Sequence, residues 1–221
     1  MALSLKETEI LRDRLYGLRP DVVPTDQITY QQARLDYLIA GEGVRQQAYD
    51  DGKGNITVGV GFNMDSCKSK GEWEGIFKGT VSFDAVYHKQ RSLTQEEVNR
   101  LLEACLKARE RALQFIYQGI WGKLRANERL AIESAYFNAP SLVMGPVDRA
   151  NVPGELKLPL AKSTRFYGHM RRYCEEQHMD ALKQAVIELR CHSNAERDPK
   201  IKFGLQQRRN SEAELLASYK V

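Results

Sequence analysis

Glu42, Asp51 and Thr57 stand within one short stretch, residues 42–61, whose pattern is a helix end followed by a glycine-turned hairpin. Leu35, Leu38, Ile39 and Glu42 fall at i, i+3, i+4 and i+7, so the carboxylate shares the apolar stripe of its helix and loses solvation there. Gly43 follows as a natural C-cap and puts Glu42 beside the negative end of the helix dipole. Desolvation and the dipole both favour the neutral acid. Beyond the cap, Asp51-Gly52-Lys53-Gly54-Asn55 has the glycines and short polar side chains of a chain reversal. On the returning strand Ile56, Val58 and Val60 alternate with Thr57, Gly59 and Gly61. The second face is thereby expected to be bare enough for a bulky ligand to approach the backbone. A neutral acid, a second carboxylate across a turn and a small hydroxyl suit glycoside hydrolysis, in which one carboxyl protonates the leaving oxygen and another activates water. Neighbouring strand residues face opposite ways, so only one of Asp50 and Asp51 can face a ligand. Tyr49 and Asp51 share a parity, and Asp50 is expected at the surface or supporting the turn.

Glu-Gly-Val-Arg, then Tyr49-x-Asp51, then Thr57-Val-Gly-Val-Gly resembles the catalytic signature of tailed-phage lysozymes, glycoside hydrolase family 24. Ser134-Ala-Tyr-Phe137-Asn138 resembles that family's buried central helix, and Gly204-Leu-Gln-Gln-Arg208-Arg209-Asn-Ser-Glu212 its C-terminal motif. The resemblance spreads over residues 33–216. It implies Glu42 as general acid, Asp51 as base or electrostatic partner, and Thr57 holding the attacking water. Phe137 and Asn138 would line the floor of a sugar groove, and Arg208 would pair with the catalytic glutamate. It implies no cofactor and no metal. Many members carry histidine after the last hairpin glycine, where this chain has Phe62. Any ion pair made by that histidine is absent, and the property affected is local stability of the small lobe rather than catalysis.

The elements that must position these residues follow from pattern. Residues 1–19 read as an amphipathic helix ended by Pro20 and Pro24, part of an extension over 1–30 that either packs on the body or serves for attachment, packing being preferred. By the resemblance, the remaining 31–221 correspond to a lysozyme-like domain. Its small lobe, about 31–91, holds a hairpin or three-stranded sheet and then irregular or short helical structure. Thr94-x-x-Glu97 is a capping box opening a long helix over 94–118, which the resemblance implies connects the two lobes. A helical lobe, 119–221, is interrupted by a connection at 140–159 and a loop at 192–202. The fold class is α+β and two-lobed, with the active site expected between the lobes.

Composition fits this reading. Apolar residues make up 42% and charged residues 28% of the 221, as in ordinary globular chains. The excess of 33 basic over 29 acidic residues gives +4, which favours approach to anionic polymers without distinguishing bacterial wall from nucleic acid. Arg165, His169 and Arg172 lie opposite Phe166, Met170 and Tyr173 at helical spacing, an amphipathic helix rather than a nucleic-acid reader. Cys174 and His178 share a face, but no second pair completes a metal site. The four widely spaced cysteines are expected as thiols. No apolar run reaches membrane-spanning length and the N-terminus lacks a signal peptide's apolar core. The resemblance implies a monomeric enzyme acting on peptidoglycan; with no such apolar segment it is expected to be made in a host cytoplasm and to reach the wall with outside help, with no nucleic acid and no stable membrane insertion. Rival readings are a virion-associated lysin or antibacterial effector with the same chemistry, and a catalytically inactive wall-binding protein.

Overall fold

The computed structural model describes residues 3–16, 24–52, 54–154, 156, 158, 162–196 and 198–217. Among them are helices α1 (Leu5–Tyr16), α2 (Pro24–Glu42), α3 (Ser69–Phe77), α4 (Phe83–Tyr87), α5 (Gln95–Ile116), α6 (Ala126–Asn138), α7 (Arg165–Glu176), α8 (Met179–Cys191) and α9 (Pro199–Leu216). Strands β1 (Arg45–Asp50), β2 (Ile56–Gly59) and β3 (Phe62–Asn63) form one antiparallel sheet in that order. The class is α+β, as expected. The chain divides into two compact units, residues 35–107 and the residues before 35 together with those from 108 on. Both α2 and α5 are shared between them.

In the first unit, Trp73 is fully buried and its indole N–H donates to the Val81 carbonyl at 2.7 Å. Phe77, Phe83 and Phe62 surround its ring, with centroids 4.6, 5.5 and 6.0 Å away. Phe62 thus holds β3 by aromatic packing, each such pair adding roughly 0.5–1.5 kcal/mol beyond area burial. The expected capping box is present: Glu97 accepts from the Thr94 N–H and Thr94 Oγ1 from the Glu97 N–H, at 2.9 and 3.2 Å. It starts α5 so that Val98, Leu101, Leu102 and Leu106 enter the core. The weakly patterned region after Asn63 resolves into α3 and α4.

In the second unit α1 packs on α9 and α6. Leu15 is fully buried, Thr8 and Ser211 share a buried hydrogen bond at 2.9 Å, and Arg12 pairs with Glu214. Helix α1 thus packs on the body, the preferred of the two readings of the 1–30 extension, with its inward side chains meeting α9 and α6. Residues 17–23 lie outside the described residues. The connection at 140–159 is anchored at its start, where Val143 and Met144 are buried. Tyr117 donates to the Val143 carbonyl at 2.7 Å and the Thr164 N–H to that of Met144 at 2.8 Å. Residues 155, 157 and 159 of that connection are not among those described.

Helix α6 is buried on nearly every side, so its polar groups must find partners inside. Glu133 faces Arg34, whose Nη1 lies 2.9 Å from Glu110 Oε2 and 3.3 Å from Glu133 Oε1. Burial pushes the Glu133 carboxyl up to about 7; Arg34 opposes the shift and Glu110 adds to it. For Arg34 burial acts downward, yet Glu133 and Glu110 outweigh it and the net direction is up. The two directions are compatible. One guanidinium faces two carboxylates, with the closer contact to Glu110, so the more buried Glu133 is the group that takes a proton.

This sets a pH dependence. Between the ordinary value of 4.5 and about 7 the folded chain binds more protons than the unfolded one. Stability must therefore fall as pH rises through that window. Thermal melts of Glu133→Gln should show a shallower decline between those limits than wild type; parallel curves would refute the assignment.

Candidate active site

Helix α2 closes with the Gly43 N–H donating to the Ile39 carbonyl at 2.9 Å, and Gly43 has φ of 75°, in the left-handed region where glycine is favoured. Leu35 and Leu38 are buried, as the apolar stripe requires, and Glu42 is half-buried with its Oε1 inside. Two residues after the glycine β1 begins, so the helix end bearing Glu42 and the hairpin are one continuous construction.

Across the hairpin Tyr49 pairs with Thr57 and Asp50 with Ile56, with an irregularity between Arg45 and Tyr49. Asp51 closes the turn with both oxygens: Oδ1 accepts from the Asn55 N–H at 3.1 Å and Oδ2 from the Asn55 amide at 2.9 Å. Asp50 is exposed and accepts the Gly52 N–H at 2.7 Å, the turn-supporting position expected of it. Thr57 is buried in the middle of the sheet, opposite Tyr49 on one side and Asn63 on the other.

One expectation is corrected. The strand face bearing Thr57 and Gly59 is not bare: both are buried and β2 ends at Gly59, with only Gly61 beyond it exposed. Gly59 has φ of 67°, and a Cβ there would lie 3.5 Å from Leu101 and 3.8 Å from Val98. Its backbone rests on α5, so it serves helix packing rather than ligand approach.

A carboxylate that the sequence pattern did not single out supports the hairpin from outside. Asp65 accepts from the Tyr87 hydroxyl at 2.7 Å and from the Ile56 N–H, and these bonds hold its carboxyl below the usual range. It tethers the start of β2 to α4. The signal available was an Asn63-Met64-Asp65 turn after β3, in which the Asp65 N–H donates to Asn63 Oδ1 at 2.8 Å.

The three remaining candidates lie in the second unit. Phe137 is half-buried, with the Arg109 guanidinium 3.9 Å from its ring centroid. Asn138 donates to the Ser134 carbonyl at 3.1 Å and accepts from Arg208 Nη1. The structure thus joins Asn138 and Arg208 directly. Arg209 goes elsewhere: it is wholly buried and pairs with Glu212, which also accepts from Ser134 Oγ at 2.7 Å. Burial raises the Glu212 carboxyl, opposed chiefly by Arg209 and Ser134. Around Cys174, burial and then Glu128 push the thiol up to about 12, against the thiolate that a metal would need.

Comparison of the sequence with models of protein families and with curated proteins finds no match. The site must be argued from its chemistry: a half-buried carboxyl at a helix end, a hydrogen-bonded carboxylate at a turn and a hydroxyl on the strand between, all carried by one compact unit.

The buried pair of α9 gives a direct stability test. Removing one member of such a pair typically costs about 3–5 kcal/mol, because the other is left uncompensated. Arg209→Met should lower unfolding free energy by about that amount in urea titrations. A change under about 1 kcal/mol would mean that Glu212 is adequately held by Ser134 and its proton.

Proposed function

We propose that the chain is a muramidase, hydrolysing the β-1,4 bond from N-acetylmuramic acid to N-acetylglucosamine in peptidoglycan, in the manner of the tailed-phage lysozymes whose signature it resembles. The observation that carries the reading is the Glu42 to Thr57 construction. Gly43 ends α2 directly after the acid, and the hairpin then carries a hydrogen-bonded carboxylate and a strand hydroxyl. Glu42 donates the proton to the leaving oxygen. Asp51, oriented by two N–H donors from Asn55, acts as base or electrostatic partner, and Thr57 holds the attacking water. Phe137, Asn138 and Arg208 contribute to sugar binding. The role is that of an endolysin reaching the wall from a host cytoplasm with outside help. Among the described residues no helix is long and apolar enough to cross a membrane.

The first test is turnover of purified peptidoglycan. Glu42→Gln should reduce it by about two to four orders of magnitude with the fold intact, since an amide cannot donate the required proton. Activity within a few-fold of wild type would remove Glu42 from the role of acid. Asp51→Asn should cost a similar factor, whereas Asp50→Asn, which loosens only the Gly52 contact, should cost on the order of 0.5 kcal/mol in stability and leave turnover nearly unchanged.

Stereochemistry is the second test. A water held by Thr57 between the carboxyls implies inversion at the anomeric carbon, with carboxyl separations of about 6.5–9.5 Å in the working enzyme. NMR of freshly released products should show the inverted anomer first. Retention would require a covalent intermediate and a different role for Asp51.

A further inference from the structure

Two carboxylates take consecutive backbone amides where the turn enters β2. The Asn55 N–H donates to Asp51 Oδ1 at 3.1 Å, and the next amide, that of Ile56, donates to Asp65. Ile56 is committed on its other side as well, its carbonyl accepting from the Met64 N–H at 2.8 Å. Thr57 follows directly. Asp65 therefore grips the single residue that separates the clasp on Asp51 from Thr57, and a shift of that residue would move both. Although exposed, Asp65 is itself held: its own N–H donates to Asn63 Oδ1 at 2.8 Å, and the Tyr87 hydroxyl donates to its carboxylate at 2.7 Å. Tyr87 stacks on Phe83, with centroids 6.0 Å and planes 19° apart, and Phe83 meets the buried Trp73 edge-on at 5.5 Å. A chain of contacts thus runs from the aromatic core to the turn. The ionisable groups acting on Asp65 are Tyr87 from α4 and Asp51 from the turn. The Tyr87 and Ile56 bonds outweigh burial and the Asp51 charge, so Asp65 stays ionised below the usual carboxylate range. Coupling between two such groups is mutual.

We infer that Asp65 is a positioning residue for the proposed reaction: through the Ile56 N–H it sets Asp51 and Thr57 relative to each other, and its fixed negative charge acts on Asp51. This deepens the muramidase reading and rests on it. A neighbouring anion disfavours ionisation of a carboxylate, which makes that carboxylate a stronger base once it is ionised. The tether and the charge are separable. An asparagine at 65 can still accept from Ile56 and can donate to the Tyr87 oxygen, so it keeps the tether and removes the charge. A phenylalanine at 87 does the reverse, taking away the backing of the tether while Asp65 remains ionised at neutral pH.

The experiment measures pH profiles of kcat/KM, and kcat and KM at neutral pH, for wild type, Asp65→Asn and Tyr87→Phe on soluble peptidoglycan fragments at equal folded concentration. In Asp65→Asn the acid limb should move to lower pH by about 0.5 unit, because Asp51 then ionises without an anion beside it. Raising the salt to 1 M should move the wild-type limb towards that of the variant, since the pair is exposed and screened. Tyr87→Phe should lower kcat at neutral pH about tenfold with KM unchanged, the loss expected when reacting groups are held less closely. Carboxyl NMR of Asp51 in wild type and Asp65→Asn should show the same downward move as the limb, without reference to turnover. Variants that melt at lower temperature but keep the wild-type acid limb and kcat would overturn the inference, leaving Asp65 a structural tether only. Failure of wild type to turn over peptidoglycan would instead overturn the muramidase reading, and the inference with it.

Discussion

The constraint on which the candidate site depends is the abrupt end of α2. A strand cannot begin until the backbone has left helical geometry. Gly43 makes that exit in a single residue by taking a left-handed φ, with its N–H returned to Ile39. Glu42 is consequently the last helical residue, half inside because Leu35 and Leu38 anchor the preceding turns. β1 can start at Arg45, and from there the register of the hairpin determines the placement of Asp51 and Thr57. An alanine at 43 would be strained in this conformation, and any drift of the helix end would move the acid relative to the hairpin.

The hairpin is short and would not persist alone. Three supports hold it. Asn55 clasps Asp51 across the turn, Asp65 ties the Ile56 N–H to Tyr87, and Phe62 joins β3 to the cluster around Trp73. Gly59 lets β2 rest on Leu101 of α5. The contacts of Asp65, Phe62 and Gly59 hold the hairpin from outside it. Asp51 serves two masters: its orientation as a catalytic group is the same orientation that closes the turn.

Legibility in sequence followed the range of the interactions. The stripe ending at Glu42, the glycine cap, the turn around Asp51 and the Thr94 capping box are all local within a helical turn or a hairpin, and each was readable. So was the burial of α6, whose Leu130 to Tyr136 stretch is apolar or small almost throughout apart from Glu133 and Ser134. The buried charges were not readable, because their partners are remote: Arg34 meets Glu133 across 99 positions, and Ser134 meets Glu212 across 78. A window of local periodicity assigns such residues to the surface. Gly59 misled for the same reason, since a missing side chain looks identical in sequence whether it admits a ligand or a helix. Helices α3 and α4 were blurred by Gly71, Gly75 and Gly79, and became definite only through the packing of Trp73 and Phe77.

The arginine motif of α9 shows how a buried pair can serve a half-buried contact. Successive residues of a helix are rotated by roughly 100°, so Arg208 and Arg209 cannot point the same way. Arg209 enters the core and meets Glu212 one turn on, while Ser134 of α6 receives the other oxygen of that carboxylate. Asn127 of α6 donates to the Leu215 carbonyl at 2.8 Å near the end of α9. Together these bonds fix both the rotation and the height of α9 against α6. Once that setting is fixed, the neighbouring Arg208 has little freedom in where it emerges, and it emerges at Asn138, one turn beyond Ser134 on the same helix. The polar interior thus specifies which side chain stands at the end of α6, a task that an apolar contact of equal size, indifferent to small rotations, would perform less well.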